Sequence, residues 1–97
     1  MVVISKTILV AFSAKHADLT DALNKWYDIT KKADWANLSD LKNTFSSVDY
    51  VGNDRYVFNI KGNKYRLVAI IFFNVRTLYI RFIGTHAEYD CIDCSAI

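Results

Sequence analysis

The chain has 97 residues, of which 53% are hydrophobic and 14% aromatic, and its formal net charge is +2. This length fits a single domain over residues 1–97, and the hydrophobic share excludes a disordered chain. No stretch approaches the ~18 apolar residues of a membrane span, and the first residues lack the basic start and long apolar segment of a signal peptide. The sequence therefore predicts a soluble, cytoplasmic protein with no membrane partner.

Charged residues are distributed unevenly along the chain. Residues 1–54 contain six Lys and seven Asp, and residues 82–97 contain three acids and no Lys or Arg. Residues 55–81 contain no acid at all. Their six basic residues, which we call the basic block, are Arg55, Lys61, Lys64, Arg66, Arg76 and Arg81.

The first half of the chain is predicted to be mainly helical. Val2–Ile4 is a short apolar run typical of a strand, and Ser5 is predicted to cap the helix that follows it. From residue 18 to residue 34, apolar side chains recur at helical spacing with Asp and Lys between them. Ser39 is predicted to open a further, shorter helix.

The second half changes to β-branched and aromatic runs, which favour strands. Strands are predicted over residues 55–61, 64–73 and 77–83, with residues 48–51 a candidate for a fourth. Gly62-Asn63 is a hairpin signal, because both residues tolerate positive φ. Gly84 closes the sheet, and Thr85 is predicted to cap a helical turn over residues 85–90. The predicted fold class is α+β, with N-terminal helices packed on one face of a small antiparallel β-sheet.

Alternation along the strands assigns side chains to the two faces of this sheet. In the third long strand, Tyr79 and Arg81 are predicted to lie opposite Leu78, Ile80 and Phe82. If the apolar faces pack on the helices, the other face, which we call the open face, gathers cations and one aromatic residue: Lys61, Lys64, Arg66, Tyr79 and Arg81. Such a face suits a polyanion, and its aromatic residue can stack on unpaired bases. The alternative is a solvated face with scattered charges.

Two segments of the second half resemble the HigB family of type II toxins. They are Arg55–Val68, R-Y-V-F-N-I-K-G-N-K-Y-R-L-V, and Tyr79–Asp90, Y-I-R-F-I-G-T-H-A-E-Y-D. Lys31–Trp35 is similar to a helix end in the same family, so the resemblance covers essentially the whole chain. The chain departs from the family at Cys91–Cys94, because a lysine commonly follows the H-A-E-Y-D string.

The resemblance implies a RelE-like toxin fold and an endoribonuclease activity, the cleavage of mRNA while it is translated on the ribosome. It also implies a neutralising HigA-type antitoxin that carries a helix-turn-helix domain. The partners expected from it are therefore this antitoxin, mRNA and the ribosome, with operator DNA contacted only indirectly through the antitoxin.

Metal-free RNA cleavage uses the ribose 2′-hydroxyl as nucleophile, and the enzyme must move two protons and stabilise charge on phosphorus. His86 is the candidate general base or acid, because an imidazole exchanges protons near neutral pH. Tyr89, one helical turn later, is predicted to position or donate a proton, or else to anchor the C-terminal turn. Arg66 and Arg81 are predicted to contact phosphate oxygens through their forked guanidinium groups.

RNA binding is assigned to residues around the hairpin and on the open face. Lys61 and Lys64 flank the hairpin and are predicted to hold the mRNA backbone, and Tyr79 offers a stacking surface. Asn63 either hydrogen-bonds the RNA or serves only the turn. No metal site and no cofactor are expected, because the basic block contains no carboxylate that could hold magnesium.

Two alternative functions use the same residues without catalysis. The chain could be a non-catalytic RNA-binding module, or a small regulatory domain whose open face binds an acidic protein. The Cys91-x-x-Cys94 spacing is typical of a redox pair or half a zinc site. Its only nearby further ligand is His86, so no chemistry is assigned to the cysteines.

Overall fold

The computed structural model describes residues 1–97 and contains five β-strands and four α-helices. The strands are β1 (Val2–Ile4), β2 (Asp49–Gly52), β3 (Arg55–Ile60), β4 (Tyr65–Phe72) and β5 (Thr77–Thr85). The helices are α1 (Lys6–Lys15), α2 (Thr20–Lys32), α3 (Leu38–Thr44) and α4 (His86–Asp90), and short 3-10 turns cover Ala17–Leu19 and Phe73–Val75. No helix has the length and apolar character needed to cross a membrane.

The strands form one sheet in the order β1-β5-β4-β3-β2. The pairs from β2 to β5 are antiparallel, as predicted, but β1 runs parallel to β5, with Val2 opposite Thr77 and Ile4 opposite Tyr79. The α+β class is confirmed, while the sheet is mixed rather than purely antiparallel. The apolar run in β1 predicts a strand but carries no information on its direction.

α1 and α2 cover one face of the sheet, and the core lies between these helices and the strands. α1 packs against β5, while α2 packs against β1 and β3. From α2 the core receives Leu23 and Trp26, each 3% exposed. The strands contribute a larger set of core residues: Tyr56, Phe58, Ile60, Tyr65, Leu67, Ala69, Ile71, Leu78, Ile80 and Ile83. The predicted alternation of β3 and β4 is therefore confirmed, since the even residues of β3 and the odd residues of β4 face the helices.

Two predicted helix caps differ from the structure. Ser5 stands at the N-cap of α1, but its backbone is left-handed (φ 73°) and its side chain makes no capping hydrogen bond. The cap of α3 is Asn37 rather than Ser39, and its side chain accepts a hydrogen bond from the Asp40 amide at 3.0 Å. Asn and Ser are equally good N-caps, so cap preference alone does not exclude the earlier start at Asn37 that the structure shows.

The hairpin between β3 and β4 is confirmed, with a four-residue connection over residues 61–64. Gly62 has a positive φ (66°), as predicted, but the second positive φ in the turn is at Lys61 (54°) rather than at Asn63. A lysine in the left-handed region is unusual, and further contacts of this side chain, described below, hold the turn in place.

Candidate active site

The open face is covered at one side and exposed at the other. α4 packs against β4 and β5, and hydrogen bonds from Asn53 and Arg55 hold the C-terminal residues nearby. Asn53 Nδ2 donates to the Ser95 carbonyl at 3.2 Å, and Arg55 Nε donates to the Ile97 carbonyl at 2.9 Å. On the exposed side, Phe72 is 40% exposed. The candidate catalytic residues lie around α4 and the strand ends beside it.

A bulge in β5 changes the predicted faces. Val68 pairs with Phe82 and Ala69 pairs with Ile80, so Arg81 has no partner across the strand pair. Phe82 therefore shares the open face with Val68, contrary to the prediction that it lies with Ile80. Arg81 is exposed and makes no ion pair. One inserted residue reverses the parity beyond it, which alternation along the strand cannot reveal.

Arg66 lies on the open face of β4, opposite Asn59 on β3 and Gly84 on β5. Its Nη1 donates to the Asn63 carbonyl at 3.3 Å, and its Cζ lies 5.9 Å from the centroid of the Tyr89 ring. No carboxylate pairs with it. Its guanidinium group therefore keeps donors for an external anion.

Gly84 makes room for the side chains around Arg66. A Cβ at this position would lie 2.6 Å from the ring of Phe82 and 3.2 Å from Cβ of Glu88. The first distance is shorter than real Cβ atoms show, so a side chain at this position would force the Phe82 ring to move. A glycine inside a strand often marks such a close approach.

His86 is the first residue of α4, directly after β5. Thr85 caps the helix as predicted, in a reciprocal pair: the Glu88 amide donates to Thr85 Oγ1 at 3.2 Å, and the Thr85 amide donates to Glu88 Oε1 at 2.8 Å. These two bonds lower the pKa of Glu88. The His86 amide donates to the Lys64 carbonyl at 3.2 Å, which ties the helix start to the β3–β4 hairpin.

The His86 imidazole is half-exposed and paired with a carboxylate. Its Nδ1 lies 3.0 Å from Asp90 Oδ2, and 52% of the side chain is exposed. When Nδ1 donates to Asp90, the ring orientation is fixed and Nε2 is left to exchange a proton with a ligand. The sequence analysis missed this role of Asp90, although the spacing of four residues on a helix is a signal for it.

Tyr89 is partly buried and lies beside Arg66. Its hydroxyl is 3.3 Å from Cys94 Sγ. Burial, followed by the contact with Cys94, raises the pKa of Tyr89 to about 12, against the opposing effect of Arg66. The phenol therefore keeps its proton at neutral pH and is a hydrogen-bond donor. Cys94 therefore lies beside a candidate catalytic residue, which its position in the sequence did not indicate.

Contrary to the prediction, the hairpin lysines Lys61 and Lys64 do not lie on the open face with Arg66. Lys61 Nζ donates to the carbonyl (2.9 Å) and to Oδ2 (3.2 Å) of Asp18, and Lys64 Nζ donates to the same Oδ2 at 2.7 Å. Asp18 belongs to the 3-10 turn before α2, on the helical side. Both lysines thus lie at the hairpin end on that side, because the turn and the salt bridge redirect them.

The Tyr65 hydroxyl completes this cluster by donating to Asp18 Oδ1 at 3.0 Å. The hydrogen bond from Lys64, with the bonds from Lys61 and Tyr65, holds the pKa of Asp18 well below its usual range, and the same contacts raise the pKa of Lys64. Asp18 lies more than 40 residues from its partners in sequence, so no local pattern identifies it.

Tyr79 lies on the open face at the exposed side, opposite Ile70. Its ring contacts the edge of the Phe72 ring, with centroids 5.9 Å apart. The structure therefore brings Arg66, Tyr89 and the Asn63 carbonyl together beside α4, whose first residue is His86. It places Tyr79 and the bulge residue Arg81 further along β5, and the two lysines at the hairpin end.

Acid stability tests the Asp18 cluster directly. A carboxyl group whose pKa is lower in the folded than in the unfolded chain stabilises the fold above its unfolded pKa, near 4, and this contribution is lost as the pH falls below that value. We expect the urea midpoint of the Asp18→Asn variant to fall slightly less between pH 7 and pH 3 than that of the unchanged chain, because exposed ion pairs contribute only modestly to stability. Asp21→Asn removes a carboxylate that forms no ion pair, so its urea midpoint should fall as much as that of the unchanged chain. An equal fall in all three proteins would contradict the ion pairs assigned to Asp18.

Comparison with known proteins identifies the family. A family model described as HigB_toxin, RelE-like toxic component of a toxin-antitoxin system, matches residues 19–92. Over 53 residues the chain is 47% identical to the mRNA interferase toxin HigB of Escherichia coli strain K12 and to the mRNA interferase HigB of Shigella flexneri. This match covers 52% of the chain, and the chain spans about half (50%) of the length of these relatives.

A longer and weaker similarity extends over nearly all of the chain. The mRNA interferase HigB of Escherichia coli O6:H1 (strain CFT073) is 29% identical over 92 residues, which are 93% of this chain and 89% of that protein. The 19–92 match contains every candidate site residue named from the sequence.

Proposed function

Because the chain belongs to the HigB family of RelE-like toxins, we propose that it is an mRNA interferase, an endoribonuclease that cleaves mRNA during translation on the ribosome. The printed names of its relatives support this activity, since they describe mRNA interferases. The family description further supports a partner antitoxin, which we propose to be of the HigA helix-turn-helix type. In this proposal the antitoxin alone contacts operator DNA.

One observation carries the catalytic part of the proposal. A half-exposed histidine, His86, is paired with Asp90 on the same short helix as Tyr89, whose protonated phenol lies beside the Arg66 guanidinium group. A base, a cation for the phosphate and a proton donor are the three groups that metal-free cleavage of RNA requires. This combination favours an enzyme over a module that only binds RNA.

The reaction begins with the ribose 2′-hydroxyl. Nε2 of His86 accepts its proton while the 2′-oxygen attacks the adjacent phosphorus, and the bond from phosphorus to the 5′-oxygen breaks. Arg66 stabilises the negative charge that develops on the phosphoryl oxygens, and Arg81 contacts the neighbouring phosphate. Tyr89 donates a hydrogen bond or its proton to the departing 5′-oxygen, and the product strand ends in a 2′,3′-cyclic phosphate.

The remaining candidates hold the substrate. Lys61 and Lys64 bind the RNA backbone at the hairpin end, because each ammonium group has more donors than Asp18 uses. Tyr79, with the exposed Phe72 ring beside it, stacks on an unpaired base. Asn63 contributes mainly its carbonyl, which orients Arg66.

The chemical nature of the cut ends tests the mechanism. When the protein is incubated with mRNA and translating ribosomes, we expect products with a 2′,3′-cyclic phosphate and a 5′-hydroxyl, formed equally in the absence and presence of EDTA. Both termini are mapped by ligation and sequencing, with ribosomes alone as the control. Products with a 5′-phosphate that disappear with EDTA would overturn the mechanism, and binding without any cut ends would favour a non-catalytic RNA-binding module.

A further inference from the structure

Asp18 is the only acidic side chain that contacts the hairpin over residues 61–64. Its carboxylate accepts from Lys61 Nζ, Lys64 Nζ and the Tyr65 hydroxyl, and its carbonyl accepts a further bond from Lys61. These contacts join the 3-10 turn before α2 to the tip of the hairpin. One residue therefore fixes both lysines that we assign to the RNA backbone.

Stability alone does not account for this cluster. The side chains of Asp18, Lys61 and Lys64 are 37%, 43% and 58% exposed, and ion pairs at that exposure contribute little to the free energy of unfolding. Their geometric effect is larger, because a carboxylate that accepts from three side chains restricts all of them at once.

The hairpin also forms hydrogen bonds with two of the proposed catalytic residues. The Lys64 carbonyl accepts from the His86 amide at 3.2 Å, and the Asn63 carbonyl accepts from Arg66 Nη1 at 3.3 Å. A shift of the hairpin tip would therefore move the acceptors that orient His86 and Arg66. Errors of about 1 Å in such an arrangement can slow catalysis by up to about 100-fold.

From these contacts we propose that Asp18 is a positioning residue for RNA cleavage, which holds the 61–64 hairpin so that its lysines and His86 keep a fixed spacing. This inference rests on the proposed function. The cluster still carries a net positive charge, since two ammonium groups share one carboxylate, so a phosphate can bind the lysines without displacing Asp18.

The test compares Asp18→Asn with Asp21→Asn, which removes the same charge from a nearby exposed site without an ion pair. For Asp18→Asn we expect kcat to fall between about 10-fold and 100-fold, while KM for mRNA on ribosomes is unchanged or lower. The slope of RNA affinity against salt should not become shallower, because no phosphate contact is lost. Asp18→Glu, which keeps the carboxylate, should recover part of kcat, and Asp21→Asn should retain all of it.

Amide hydrogen exchange gives a readout that does not depend on cleavage. We expect the His86 amide to exchange faster in Asp18→Asn than in the unchanged chain, while the amides of core residues Leu67 and Leu78 keep their rates. Unchanged exchange at His86 would overturn the inference, as would an unchanged kcat or a rise in KM that accounts for the whole loss. If the unchanged chain cleaves no RNA, but the His86 amide exchanges faster in Asp18→Asn, the proposed function is wrong. The effect of Asp18 on the position of His86 is then still supported.

Discussion

Replacing His86 with glutamine is expected to slow RNA cleavage by about 100-fold or more, because general acid–base catalysis contributes factors of that size. Glutamine retains a polar side chain but cannot exchange a proton. The fold should persist, since the imidazole is half-exposed and its one side-chain hydrogen bond goes to Asp90. The measurement is the single-turnover cleavage rate on ribosomes, together with RNA affinity, which should change by less than about 3-fold.

His16→Gln is the matched control for this variant. His16 stacks on the Phe12 ring with centroids 4.3 Å apart and has no part in the proposed reaction, so cleavage should continue at nearly the unchanged rate. If His86→Gln cleaved as fast as the unchanged chain, another group would have to accept the 2′-hydroxyl proton. A parallel loss of affinity and rate would instead indicate that His86 serves binding.

The Arg66→Ala variant should also lose about 100-fold or more in cleavage rate, because it removes a charged contact made to the phosphate in the transition state. The loss should appear in kcat more than in KM. Folding should be nearly unaffected, within about 0.5 kcal/mol, since the guanidinium group bonds only to the Asn63 carbonyl and packs on the Tyr89 ring. Single-turnover rates and urea denaturation measure the two quantities separately.

Two further variants sharpen this result. Arg66→Lys keeps the charge but lacks the forked donors, so we expect it to recover only part of the rate. Arg76→Ala removes a different arginine of the basic block, which pairs with Asp34 away from the site, and should cleave normally. Equal losses in Arg66→Ala and Arg76→Ala would show that overall charge, rather than the position of Arg66, determines the rate.

The residues of the basic block make different contacts in the structure. Lys61 and Lys64 are paired with Asp18, Arg76 is paired with Asp34, and Arg55 holds the Ile97 carbonyl. Arg66 and Arg81 form no ion pair, and Arg66 donates only to the Asn63 carbonyl. These two guanidinium groups without a carboxylate partner are the ones that the sequence analysis assigned to the phosphate, on the basis of the open face and the family resemblance.

The sequence by itself determined much of the secondary structure and the local geometry of α4. The alternation of apolar residues in β3 and β4 requires only neighbouring positions along one strand, and it identified the face that packs on the helices. The cap at Thr85 and the one-turn spacing from His86 to Tyr89 are likewise local. Such features depend on backbone geometry over a few residues, which the identities of those residues constrain directly.

Only the tertiary structure decided which charges meet. The parallel pairing of β1, the bulge at Arg81 and the pairing of Asp18 with the hairpin lysines all depend on segments that are far apart in sequence. The bulge moved Phe82 to the open face, and Asp18 moved Lys61 and Lys64 away from it. Ion pairs between exposed side chains differ little in energy, so the partners of a lysine follow from the packing of distant elements, which the local sequence pattern does not contain.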